Sequence, residues 1–144
     1  MINLKKIFIS SDHAGFKLKE AIKSYLSDKK LSFIDMGPYN DSRVDYPDFA
    51  HKVANKVKLN KNNVGILVCG SGTGMNIAAN KHKNIRAALC YNVKSTKLSR
   101  LHNDANVITL GSRLISKKNA LKCLNIFLKT KFEGGRHKKR IRKI

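Results

Sequence analysis

Cys69 opens the run Cys69-Gly70-Ser71-Gly72-Thr73-Gly74, the sharpest chemical feature of this 144-residue sequence. Glycines at 70, 72 and 74 let a backbone take positive φ and come close to a ligand. The N–H groups of such a turn point outwards at the start of a following helix, a setting that favours anions. No Lys-Ser or Lys-Thr pair follows at the spacing of a P-loop. The G-x-G-x-G spacing also differs from the dinucleotide fingerprint, which normally follows a first strand. A cysteine at a strand end, beside a helix N-terminus, meets the positive end of the dipole, where its thiolate is favoured. That thiolate can serve as base or nucleophile. A free cysteine is otherwise a small buried hydrophobe, which is the reading given to Cys90 and Cys123.

His13 and His102 each stand beside a carboxylate, Asp12 and Asp104. A histidine in that setting can act as acid, base or anion ligand near neutral pH, or can simply pack. His51 and His82 fall in Lys-rich stretches and read as solvated. Arg136 and Arg140 are four apart. On a helix they would share a face and could grip one phosphate together, the alternative being a solvated basic tail.

These residues need elements to hold them. Ile7-Phe8-Ile9 is a short apolar run ending at Asp12-His13. Leu18, Ile22, Tyr25 and Leu26 recur at spacings of three and four, with Lys17, Lys19, Glu20 and Lys23 as the charged back of one helix. Residues 32–36 read as a second strand and 37–46 as a polar loop. Pro47 then fits the first turn of a helix. Val64 to Val68 is nearly all apolar, as a central parallel strand should be. A short helix is expected over 75–80, a strand over 86–90, a helix over 94–102, a strand over 106–110, and a last long helix around Ala120 to Leu128.

The resulting order, βαβαβαβαβα, predicts an α/β fold: a Rossmann-like, doubly wound three-layer α/β/α sandwich with a five-stranded parallel sheet. Ligands bind such sheets outside the carboxyl ends of the strands. Strand one leads into Asp12-His13, strand three into the Cys69 turn, and strand five into Gly111-Ser112-Arg113. The helix after strand four ends in His102-Asn103-Asp104, and these residues are expected to join the same site.

Composition bounds the function. A chain of this length suits one domain, 1–144, with a basic tail over 133–144. No stretch approaches the ~18 apolar residues of a membrane span, and the N-terminus lacks the apolar region and cleavage site of a signal peptide, so a cytoplasmic protein is expected. Three widely spaced cysteines form neither a disulfide framework nor a Cys-x-x-Cys metal pair. Thirty Lys and Arg against nine Asp and Glu give +21. The lysines are spread along the chain, and only the tail is a dense cluster. Aromatics are 7% and Trp is absent, so the interleaved aromatics of a single-strand reader are missing. No specific nucleic-acid partner and no membrane partner are expected.

With these residues assembled, the sequence closely resembles the ribose-5-phosphate isomerase B family, which also includes galactose-6-phosphate isomerase subunits. The matching segments are Ser11 to Phe16, Asp45-Tyr46-Pro47, the Cys69–Gly74 turn with Ala78-Ala79-Asn80-Lys81, Leu98-Ser99-Arg100 followed by His102-Asn103-Asp104, Gly111-Ser112-Arg113, and Glu133 to His137. They run in the family's order and cover essentially the whole chain. The resemblance implies a metal-free, cofactor-free interconversion of ribose 5-phosphate and ribulose 5-phosphate through an enediolate. It implies that Cys69 is the base, that Ser71 supports it, and that His102 helps to open the furanose ring. The amides of Gly70, Ser71, Gly72, Thr73 and Gly74 would hold the enediolate oxygens. Asp12, His13, Tyr46, Asn103, Arg113, Arg136 and Arg140 would bind sugar and phosphate. It further implies a dimer or tetramer with shared sites, the tail reaching a neighbouring subunit. Position 71 is Ser where many relatives have Thr, and the hydroxyl survives. A six-carbon aldose phosphate is the alternative substrate. An anion or nucleotide sensor would leave Cys69 and His102 idle.

Overall fold

The computed structural model describes residues 5–144. Five strands run in chain order: β1 (Ile7–Ser11), β2 (Phe33–Asp35), β3 (Val64–Cys69), β4 (Ala87–Leu89) and β5 (Val107–Gly111). Between and after them come α1 (Phe16–Asp28), α2 (Tyr46–Val57), α3 (Thr73–Ala79), α4 (Val93–Asn103), α5 (Lys117–Lys129) and α6 (Arg136–Ile141). The sheet order is β2-β1-β3-β5-β4, and every pairing is parallel. β1 and β3 lie inside the sheet and are buried along their whole length, which is why both read as unbroken apolar runs.

The strand pleat sorts the core into two layers. Ile7 and Ile9 of β1, with Val64, Ile66 and Val68 of β3, face Leu18, Ile22 and Leu26 of α1 and Ala120, Leu124 and Phe127 of α5. Phe8, Leu67 and Cys69 face the other way, against Ala50, Val53, Ala54 and Val57 of α2 and Met75 and Ala79 of α3. Each Val, Leu, Ile, Phe or Met among them, taken fully from water, contributes about 1.5–3 kcal/mol. The three-layer sandwich expected from the element order is the fold observed. Among the described residues, no helix is long and apolar enough to cross a membrane.

Some local expectations shift. β2 and β4 are shorter than the apolar runs suggested, because each is an edge strand with one hydrogen-bonded neighbour. α3 starts at Thr73, inside the Gly-rich run, rather than at Met75. The segment 136–141, left open between helix and solvated tail, is α6. It packs back on its own chain, the Glu133 N–H donating to the Leu101 carbonyl of α4 at 3.1 Å.

Lys19 departs most from the sequence reading. Placed on the charged back of α1, its side chain is 0% exposed. Its Nζ donates to Asp35 Oδ1 at 2.8 Å and to the Pro38 carbonyl at 2.6 Å, and lies over the Phe16 and Tyr39 rings. Lys23 reaches the other Asp35 oxygen at 2.8 Å. Burial works against the Asp35 carboxylate, but hydrogen bonds from Lys19, Lys23 and the Gly37 N–H outweigh it and hold its pKa below the usual range. The pair ties α1 to the end of β2 and to the loop beyond.

Candidate active site

In a sheet of this order the chain turns from β1 to β2 on one side and returns to β3 on the other. The crevice outside the carboxyl ends of β1 and β3 is therefore the switch point at which α/β sheets bind ligands. A cleft of about 280 Å³ opens there, lined by Asp12, Tyr46, Cys69, Gly70, Ser71, Gly74, Arg113 and Leu114. A second hollow, sharing Asp12 and Tyr46, continues past His13 and Arg43.

The Cys69 side chain projects from the last residue of β3 and is 4% exposed. The Gly72 N–H donates to its Sγ at 3.1 Å. That bond closes a turn over Gly70 and Ser71, and Gly72 then swings the chain into α3 with φ +78°, where a Cβ would also strike the Leu110 carbonyl carbon at 2.9 Å. Gly70 and Gly74, expected to share the left-handed conformation, do not adopt it. Gly74 instead lies against the Tyr46 ring. The Thr73 N–H is turned to the Ser71 Oγ at 3.3 Å, so two of the turn's N–H groups face its own side chains. The residues around the turn are tied together. Ser112 N donates to the Cys69 carbonyl at 2.8 Å and Arg113 N to that of Gly70 at 3.0 Å, which brings the Arg113 guanidinium over Gly70.

Asp12 follows β1 and is buried, one carboxylate oxygen accepting from the Gly15 N–H at 2.9 Å. Its own N–H donates to the Val68 carbonyl at 3.1 Å, beside Cys69. Gly15 has no side chain because none fits: a Cβ there would sit 2.2 Å from the Val68 oxygen. His13 Nδ1 accepts from the Val44 N–H at 3.3 Å, which holds the loop before α2 over the hollow.

The remaining expected residues lie elsewhere. α4 starts after the carboxyl end of β4 and runs back along the sheet, so its last residues return to the amino edge. Arg86, just before β4, donates to the Asn103 carbonyl at 3.0 Å and the Asp104 carbonyl at 2.9 Å. Asn106, just before β5, donates to the Arg86 carbonyl at 3.0 Å. β5 separates this edge from Gly111, the register partner of Cys69. Four residue steps make that about 13 Å. His102 and Asn103 therefore do not join Cys69 within one chain, contrary to the sequence expectation. Helix α6 packs beside them and carries Arg136 and Arg140 exposed on its surface. At this edge His102 stacks on His137, ring centroids 4.3 Å apart.

Residues 7–144 match the family described as Ribose/Galactose Isomerase. This chain belongs to the ribose/galactose isomerase family. It is 42% identical to ribose-5-phosphate isomerase B of Escherichia coli K12 over 141 residues, covering 98% of this chain and 95% of that one. Ribose-5-phosphate isomerase B from Mycoplasma genitalium, solved with bound ribulose-5-phosphate, superposes with a TM-score of 0.93 at 48% identity, covering 96% of this chain and 93% of that one. The enzyme from Clostridium thermocellum gives a TM-score of 0.93 at 46% identity over the same shares.

Within this isomerase-family chain, sequence reasoning missed three residues near the cleft. Arg43 and Leu114 line its hollows, and the Tyr91 hydroxyl donates to the Ser71 carbonyl at 2.9 Å. Arg43 could have been found as the one cation of an otherwise uncharged or acidic loop. Tyr91 and Leu114 carry no such signal. His51 and His82, read as solvated, are half-buried and hydrogen-bonded to each other, Nδ1 to Nε2 at 2.7 Å. Burial, then His51 and Lys58, hold the His82 pKa below the usual histidine range. All three cysteines are free and buried; Cys123 projects from α5 and Cys90 follows β4, both into the core layer on the α1 and α5 side of the sheet.

Proposed function

We propose that this chain interconverts ribose 5-phosphate and ribulose 5-phosphate, with Cys69 as the base. The carrying observation is a buried cysteine sulfur at the switch-point crevice with a backbone N–H aimed at it. A thiolate accepts such a hydrogen bond better than a thiol does. Cys69 takes the C2 proton of the open-chain aldose and returns it to C1, while the O2 hydroxyl proton passes to O1. The electrons of the broken C–H bond pass into a cis-enediolate. The turn amides of Gly70, Ser71, Thr73 and Gly74 and the Ser71 hydroxyl meet the enediolate oxygens, while the Gly72 N–H stays on the sulfur. Each preorganised donor of this kind stabilises a developing oxyanion by roughly 3–4 kcal/mol. Binding the substrate releases the Thr73 N–H from Ser71 for that purpose. Asp12 and Tyr46 hold sugar hydroxyls, and His13 and Arg113 approach the phosphate. The step is a proton transfer and calls for no cofactor.

His102, for ring opening, and Asn103, Arg136 and Arg140, for sugar and phosphate, come from a neighbouring copy. Their position at the opposite edge of the sheet from Cys69 supports this reading. So do Ile77, Tyr91, Val93 and Leu98, large apolar side chains exposed on and beside α3 and α4. The working unit is a homo-oligomer, dimer or tetramer, of one-domain chains in the cytoplasm, and the basic tail over 133–144 serves its neighbour's site.

The test is conversion of ribose 5-phosphate with chelator present, for the native chain and Cys69→Ala. A general base contributes typically about 10²–10⁴-fold, so the variant should lose at least that much while its circular dichroism is unchanged. A native chain that leaves ribose 5-phosphate untouched would refute the proposal.

A further inference from the structure

We infer that His102, Glu133 and His137 form a divalent zinc site, and that its occupancy switches the isomerase off. The second half rests on the role of His102 proposed above. The first half stands on geometry. His102 ends α4, Glu133 lies in the segment between α5 and α6, and His137 is in α6. One carboxylate oxygen, Glu133 Oε2, is 3.8 Å from His102 Nε2 and 3.9 Å from His137 Nε2. The ligand atoms of all three residues lie within 4.8 Å of one another. A tetrahedral zinc with donors at about 2.0–2.1 Å holds neighbouring donors about 3.4 Å apart. Closure is therefore short on the Glu133 sides and longer between the two nitrogens. The side chains that must move are the accessible ones: Glu133 is 57% and His102 37% exposed. The two rings are stacked with planes 15° apart, so His102 must turn for both lone pairs to converge.

His137 supplies an independent pointer. Its side chain is 6% exposed, and its Nε2 is buried without a hydrogen-bond partner. Such an orphaned polar atom is unfavourable, and a bound ion would satisfy it. The charge around the site decides which cation fits. Arg136 and Arg140 flank it, and Glu133 offsets only one charge. A hard cation held by electrostatics and oxygen ligands, such as Mg²⁺ or Ca²⁺, has little to gain here. Zinc binds two imidazoles and a carboxylate through directional bonds, and water completes its fourth position. Bound zinc consumes the Nε2 lone pair of His102 and fixes its ring.

The experiment uses the full chain, stripped of metal, with Co²⁺ as a spectroscopic probe and Zn²⁺ as competitor. Visible bands of a four-coordinate nitrogen–oxygen site are expected, displaced by Zn²⁺ and weakened at least tenfold in His137→Gln and in Glu133→Gln. Glu133 is exposed, so its variant keeps the test open if His137→Gln fails to fold. Thiolate-to-cobalt charge transfer, or binding equal in both variants, would assign the metal to a cysteine and overturn the site. In the isomerase assay, Zn²⁺ should inhibit the native chain, while His137→Gln and Glu133→Gln, each measured against its own metal-free rate, should need at least tenfold more Zn²⁺ for the same fractional loss. Full activity with the site spectroscopically filled would overturn the switch. A metal-free native chain that cannot convert ribose 5-phosphate would also overturn the switch, through failure of the isomerase reading, while the cobalt spectra would still decide the site.

Discussion

Subunits carrying Cys69→Ala, mixed with subunits carrying His102→Ala, are expected to regain activity that neither has alone. The reason is the direction of α4, which carries His102 to the amino edge of the sheet while Cys69 stands at the carboxyl edge. The span between those edges is about 13 Å along β5, more than a histidine side chain can bridge. In a two-fold dimer each site would then combine Cys69 of one chain with His102 of the other. A mixed dimer holds one site with both lesions and one with none. Random reassortment makes about half of all dimers mixed, and one of their two sites is whole, so about one quarter of wild-type activity returns. Each parent variant is expected to be reduced by roughly 10²–10⁴-fold, which leaves a quarter far above background. The assay is ribulose 5-phosphate formation after subunit exchange, with mixed species counted by native mass spectrometry. A site built within one chain predicts no recovery, since every site then bears one lesion. Verified mixed dimers with only parental activity would refute the shared-site reading.

Two further outcomes test the scaffold. Asp35→Asn should destabilise the fold by about 3 kcal/mol, the low end for breaking a buried ion pair, because Lys19 keeps the Pro38 carbonyl. The Asp35 pKa is depressed in the fold, so the pair's stabilisation is present above the unfolded carboxylate value of about 3.9 and is lost as pH falls through the lower folded value. Urea titrations from pH 7 downwards should show a flatter acid limb in the variant, and parallel limbs would contradict the assignment. Gly15→Ala places a methyl 2.2 Å from the Val68 oxygen and should cost about 1–3 kcal/mol through overpacking. Because Gly15 N–H also holds Asp12, isomerase activity should fall more than the folded fraction does; a proportional fall would remove Asp12 from the site.

The sequence by itself determined the layers of this protein and one half of its site. Unbroken apolar runs such as Val64–Val68 are what a parallel strand covered on both faces requires. The three-and-four spacing of Leu18, Ile22 and Leu26 is what a helix laid on that sheet requires. Both patterns are set by local geometry and burial, and both were legible. Asp12 and Cys69 were legible as neighbours for the same reason, because strand ends in such a fold converge on one crevice. The tertiary structure alone decided the rest. Lys19 looked like surface because charge normally marks solvent, and only the approach of Asp35 and Pro38 makes its burial tolerable. Of the three glycines in the turn only Gly72 takes positive φ, because it is the residue at which the chain leaves the turn and enters α3. His51 and His82 meet only because α2 and α3 pack side by side. His102 followed a strand in sequence but ends a helix that runs back across the sheet. Sequence order records which residues follow a strand, whereas the length and direction of the helix between decide at which edge of the sheet they arrive.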